Sequence, residues 1–318
     1  MRRRRAPSWA RAAVLAVVAL AWSVAVPVTG QGLPARQGVL SLDEGRLFYE
    51  IVGSGPPIVV IHGGPGLDHE YLRPGLDVLA SAGQLVYYDQ RGTGRSEAEL
   101  DSASIGWDAF VDDVERLREA LGHDRITVLG HSFGGFLALD YARRHPDRTR
   151  ALILMNMPEP GQRWRTTTGE RLAAGRTEAD AARLAELAAT PGFEARDAAT
   201  MSEYYRTSFR AIVRDPERLE RVNLDLSGRT ARNGPDVARL LGTSLGAIDW
   251  WDRLPGIDVP ALVVHGLADA PPEAMARELA GALPQGRLAL LETGHFPYVE
   301  DPTALLAAVT TFLTAVRR

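Results

Sequence analysis

Short segments that are apolar at nearly every position alternate with helical ones along this chain. Residues 58–61, 126–130, 151–155 and 261–264 carry hydrophobic side chains almost continuously rather than at every second position. A strand that is apolar on both faces must be covered on both faces. These segments therefore predict the α/β class, with a mostly parallel sheet flanked by helices. Residues 46–52, 84–88 and 288–291 predict further strands. Residues 107–121 place apolar side chains at 107, 110, 111, 114, 117, 120 and 121, which is helical spacing. Helices are also expected over 133–144, near 272–282 and over 302–316. The stretch 159–253 breaks this rhythm, being rich in Ala, Arg and Glu and lacking strong strand runs. It lies between two strand runs, so it predicts an inserted helical cap, with 38–158 and 254–318 forming the core.

A length of 318 residues suits one core domain carrying such an insertion. There is no cysteine, and all 36 basic residues are arginine. That excludes a thiol nucleophile, a disulfide framework, a zinc–cysteine site, a Schiff-base lysine, a Ser–Lys dyad and a Walker A lysine. Residues 1–30 combine Arg2, Arg3, Arg4 and Arg5 with an apolar run from Ala12 to Val28 and a small-residue end at Thr29-Gly30. This is the pattern of a secretory signal, and it predicts a secreted or periplasmic protein. An uncleaved membrane anchor is the alternative, since the apolar run has 17 residues, marginal for crossing a bilayer. Removing the segment takes away five arginines and no acid, moving the formal charge from −4 to about −9. No basic patch then remains for nucleic acid. No membrane partner is expected after signal removal, and the sequence leaves the oligomeric state open.

The strongest chemical signal is Gly130-His131-Ser132-Phe133-Gly134, which follows a strand and opens a helix. A serine at such a sharp turn is exposed above the sheet, and glycine neighbours let the turn close. The helix N-terminus beneath it favours developing negative charge. Ser132 is therefore the candidate nucleophile, and it needs a base. In this chain order the acid and then the histidine follow the serine. His295 follows a strand run and precedes the last helix; Asp269 follows the 261–264 strand. Glu159 and Asp258 are the other candidates for the acid. His131 is expected to point away from the nucleophile and to serve packing. His62 and His265 end strands, while His69, His123 and His145 read as loop or helix-end residues. No pair has metal-ligand spacing, so no metal is expected. The glycine-rich loop His62-Gly63-Gly64-Pro65-Gly66 follows a strand and reads as an oxyanion hole. The amide of Gly64, or less favourably Gly63, would join that of Phe133.

Together with Asp89-Gln90-Arg91-Gly92-Thr93-Gly94-Arg95-Ser96 and the run from Gly294 to Pro302, these motifs resemble the α/β-hydrolase superfamily, and most of all its proline iminopeptidase branch. The resemblance spans about residues 40–316. It implies a capped α/β-hydrolase fold and release of N-terminal proline from short peptides, with no cofactor. Carried over by motif, Ser132, Asp269 and His295 form the triad, and the segment 89–96 is a structural loop bordering the site. The elbow departs from the Gly-Gly-Ser-Trp-Gly usual in that branch. The branch also binds the substrate's ammonium group with cap carboxylates, for which Glu203, Glu217 and Glu220 are the candidates here. Two alternatives stay open: hydrolysis of esters or other small acyl substrates, and a non-catalytic binding role on the same scaffold.

Overall fold

The computed structural model describes residues 33–43, 45–245 and 249–316. The expected signal segment, residues 1–30, lies outside them. An eight-stranded sheet forms the centre, in the order β1-β2-β4-β3-β5-β6-β7-β8. The strands are β1 (Ala35–Leu42), β2 (Gly45–Val52), β3 (Pro57–Ile61), β4 (Gln84–Tyr88), β5 (Ile126–His131), β6 (Thr149–Met155), β7 (Ala261–Gly266) and β8 (Gly286–Leu291). β1 and β2 pair antiparallel, as do β2 and β4; every other pairing is parallel. β3, β5 and β7 are buried at every residue, as continuous apolar runs require.

Helices α1 (Trp107–Ala120) and α2 (Gly134–Arg144) follow β4 and β5. α1 buries Trp107, Phe110, Val111, Val114 and Leu117, the stripe anticipated from its spacing. Five helices lie between β6 and β7 among the described residues: α3 (Arg165–Gly175), α4 (Glu178–Ala188), α5 (Pro191–Glu194), α6 (Ala198–Phe209) and α7 (Gly228–Leu245). α8 (Glu273–Ala282), α9 (Pro297–Glu300) and α10 (Pro302–Val316) complete the chain. The side chains of the sheet divide between two apolar clusters. Val59, Val86 and Val128 pack with α1, α2 and α8, while Val60, Leu85 and Ile153 pack with α10.

One strand went unanticipated. β1 begins at Ala35, ahead of the expected core boundary at 38, and forms the sheet's outer edge with a half-exposed pattern. The inserted segment meets the core closely at several points, one of them at a glycine pair. A Cβ on Gly66 would lie 2.2 Å from the Gly234 carbonyl oxygen, so only glycine lets helix α7 touch the loop after β3.

Candidate active site

Ser132 sits between β5 and α2 with φ of 53°, a left-handed conformation that costs a non-glycine residue energy. Its surroundings explain the glycines. A Cβ at Gly130 would lie 2.4 Å from the Gly134 carbonyl oxygen, and one at Gly134 would lie 2.3 Å from that of Ile61. The Ser132 amide is pinned to the Met155 carbonyl at 2.9 Å. The amide of Phe133, at the open end of α2, and that of Gly64 bond to no acceptor among the described residues. The Gly63 amide is already committed, donating to the Tyr71 hydroxyl at 2.7 Å.

The loops after β7 and β8 bring Asp269 and His295 together, with His295 Nδ1 2.8 Å from Asp269 Oδ2. Asp269 is fully buried, which works against its charge. The imidazole of His295 and the amide of Asn156 nevertheless hold its pKa below the usual carboxylate value. Asn156 follows β6 in a left-handed conformation, φ 49°. It donates to Asp269 Oδ2 at 2.8 Å and to the Gly294 carbonyl at 3.0 Å, bracing the acid loop against the histidine loop. Glu300 braces the other side, accepting the amides of Gly294, Phe296 and Arg214 at 2.9, 3.3 and 2.9 Å.

His131 is fully buried, and its ring centre lies 4.9 Å from that of His295. Its expected role is packing, but both of its ring nitrogens are hydrogen-bonded. Its Nε2 donates to the His295 carbonyl at 2.9 Å, and its Nδ1 meets the Tyr71 hydroxyl at 2.7 Å. Burial and the neighbouring His295 push its pKa down to about 3, so it is neutral. The side chain of Ser132 lies against the glycine-rich loop: a Cβ on Gly63 would fall 2.8 Å from its Cβ. Among the described residues neither Ser132 Oγ nor His295 Nε2 has a hydrogen-bond partner, each other included.

The inserted helices grip both loops. The His295 amide donates to the Ile212 carbonyl at 2.8 Å, and the Phe209 ring stacks near His295 with centroids 6.4 Å apart. Arg171 donates to the carbonyls of Leu267, Asp269 and Ala270 at 3.1, 2.8 and 3.0 Å. Among the described residues none of the three expected cap carboxylates bonds to Ser132, Asp269 or His295. Glu203 is engaged by Arg183 at 2.7 Å, while Glu217 and Glu220 are exposed. Of the other candidate acids, Glu159 accepts the Trp164 amide and Asp258 holds Gln285.

The remaining histidines sort by environment. His62 Nδ1 donates locally to the Gly63 carbonyl at 2.9 Å while its Nε2 accepts the amide of the distant Gln90 at 3.0 Å, and His265 Nε2 meets the nearby Pro271 carbonyl at 2.9 Å. His69 opens a short 3-10 helix, as a helix-end residue, and is buried on Asp89 at 2.6 Å. Glu50, His69 and Glu70 could place three donor atoms around a cation. The chain's own cations are already there: Arg95 reaches Glu50 at 3.0 Å and Glu70 at 2.7 Å, and Arg73 also bonds Glu50.

Residues 56–302 match the family described as alpha/beta hydrolase fold, and the chain belongs to that family. Within it the chain falls in the proline iminopeptidase-like branch. It is 31% identical over 274 residues to a proline iminopeptidase of Lactobacillus delbrueckii subsp. lactis, a match covering 80% of this chain and 90% of that protein. Among solved structures it is similar to a proline iminopeptidase-related protein from Thermus thermophilus, with a TM-score of 0.66 and 30% identity over 89% of this chain and 99% of that one. It is also similar to a thermophilic esterase from Thermogutta terrifontis, with a TM-score of 0.67 and 25% identity over 89% of this chain and all of that one. These relationships make the protein a hydrolase.

Proposed function

We propose that this hydrolase works by serine acyl transfer, with Ser132 as nucleophile, His295 as base and Asp269 as its orienting acid. The observation that carries the reading is the buried 2.8 Å contact between Asp269 and His295, whose carbonyl is bonded by His131, the residue before the strained turn at Ser132. In this mechanism His295 Nε2 takes the hydroxyl proton as Ser132 Oγ attacks the substrate carbonyl. The Ser–His hydrogen bond closes with substrate in place, as is common for such pairs. The amides of Gly64 and Phe133 hold the oxyanion; commitment of the Gly63 amide to Tyr71 favours Gly64 as the loop donor. His295 then protonates the leaving amine or alcohol. Water, deprotonated by the same imidazole, releases the acyl group and restores Ser132.

The names of the relatives favour release of N-terminal proline from short peptides. A second reading, hydrolysis of small uncharged esters, is favoured by the position of the cap carboxylates. Glu203 is paired, and Glu217 and Glu220 face solvent, whereas a buried substrate ammonium needs a charge partner. Proline-β-naphthylamide and p-nitrophenyl butyrate separate the two. Ester turnover without release of naphthylamine removes the peptidase reading. Ser132→Ala is expected to lower kcat by about 10⁴- to 10⁶-fold on whichever substrate is turned over; wild-type turnover by this variant would reject the mechanism. The N-terminal segment supports export to a periplasm or the exterior, which signal cleavage in the secreting cell would test by a shortened N-terminus.

A further inference from the structure

The loop that supplies the oxyanion donor and the loop that supplies the base are joined through the protein interior by two side chains that lie outside the triad. Tyr71, in the turn after the glycine-rich loop, is buried, and His131 is fully buried. The direction of each bond in this chain is fixed. The His295 carbonyl can only accept, so His131 Nε2 carries the hydrogen. Neutral His131 then has a bare Nδ1, and the Tyr71 hydroxyl must donate to it. The phenol oxygen is thereby left to accept the Gly63 amide. The sequence Gly63 N–H to Tyr71 O–H to His131 to the His295 carbonyl leaves no donor unused. It spans the oxyanion loop, the elbow and the base.

We infer that Tyr71 and His131 are positioning residues that set the Gly64 amide and the His295 ring in register with Ser132. The inference rests on the serine-hydrolase reading above. Neither side chain needs to touch substrate. Gly63 is the residue before the loop donor, and its amide has one acceptor, so the Tyr71 hydroxyl fixes the His62–Gly63 peptide from which the next peptide, carrying the Gly64 N–H, continues. His131 is the residue before the nucleophile and holds the main chain of the base, so rotation of its ring would shift both. The Tyr298 hydroxyl donates to the Tyr71 carbonyl at 3.0 Å and fixes the tyrosine's own main chain. All members are buried, so a missing partner cannot be replaced cheaply by water.

The test compares two variants that each lose one buried tyrosine hydroxyl. Tyr71→Phe leaves the Gly63 amide and His131 Nδ1 unpaired. Tyr141→Phe removes a bond to Glu115 at 2.7 Å, on the far side of α2. With the best substrate of the panel, Tyr71→Phe is expected to lower kcat about 10- to 100-fold with KM within about twofold, the signature of a misplaced transition-state donor. Tyr141→Phe is expected to leave both constants within about twofold. Rates are scaled to folded enzyme, counted by circular dichroism. A Tyr71→Phe enzyme with wild-type kcat overturns the inference, and so does a loss shared equally by Tyr141→Phe. If Tyr71→Phe does not fold, His131→Gln is judged by the same two constants. Failure of the parent reading shows separately, as activity retained by Ser132→Ala.

Discussion

Among the described residues two buried histidines each hydrogen-bond a carboxylate, and the mechanism proposed above assigns only one of the pairs to catalysis. His295 meets Asp269 at 2.8 Å; His69 meets Asp89 at 2.6 Å. Both carboxylates lie just beyond the C-terminal end of a strand, and both rings bond through Nδ1. Their surroundings differ. His69 has no exposed side-chain surface and lies between the rings of Phe48 and Tyr87. Burial opposes its charge, yet Asp89, Glu50 and Glu70 together raise its pKa to about 10. His295 has a single carboxylate, shared with Asn156, and its second nitrogen has no partner among the described residues; the proposed mechanism gives that nitrogen the substrate-side proton. The lesson is that the count of acids around a buried ring decides whether it is held as a cation, as His69 is.

That contrast can be broken at several points. Asp269→Asn is expected to lower kcat about 10⁴-fold, because the amide favours the wrong tautomer of His295, with little change in Tm. Steady-state rates and a melting curve on the same sample decide it. Asp89→Ala should do the reverse. Removing one partner of a buried charge pair destabilises by about 3–5 kcal/mol, while kcat per folded molecule stays near wild type; urea unfolding reads the first quantity. The smallest effect is in the pH dependence of stability. Glu50 is buried, but His69, Arg95 and Arg73 bring its pKa down to about 2. Its contribution is present above its ordinary 4.5 and is lost as pH falls toward 2. The contribution of His69 is full below its ordinary 6.5 and is lost as pH rises through about 10. Melting temperature against pH should therefore fall on both sides, and Asp89→Ala should flatten the alkaline limb.

Much of this was legible in the chain because the signals were local. The apolar runs at 58–61 and 261–264 became β3 and β7, and the spacing of 107–121 became α1. Ser132 announced itself by neighbours that must lack side chains, and Asp269 and His295 by their positions after strands. The misses have a common cause. β1 is an edge strand whose residues alternate between partial and full exposure, so little apolar periodicity marks it. Asn156 neither titrates nor attacks, although it occupies the same kind of strand end that pointed to Asp269. Tyr71 and His131 are 60 residues apart and meet only through the fold. Glu203 was drawn in by its place in the insertion, but no sequence pattern reveals that Arg183 would claim it.

The amide of His295 donates to Ile212, a residue of the inserted segment rather than of the sheet domain. An engineer who trimmed the insertion would thus remove a structural tie of His295 along with it. Reshaping that segment calls instead for exchanging side chains on the helices and keeping the main chain from Phe209 to Arg214 intact.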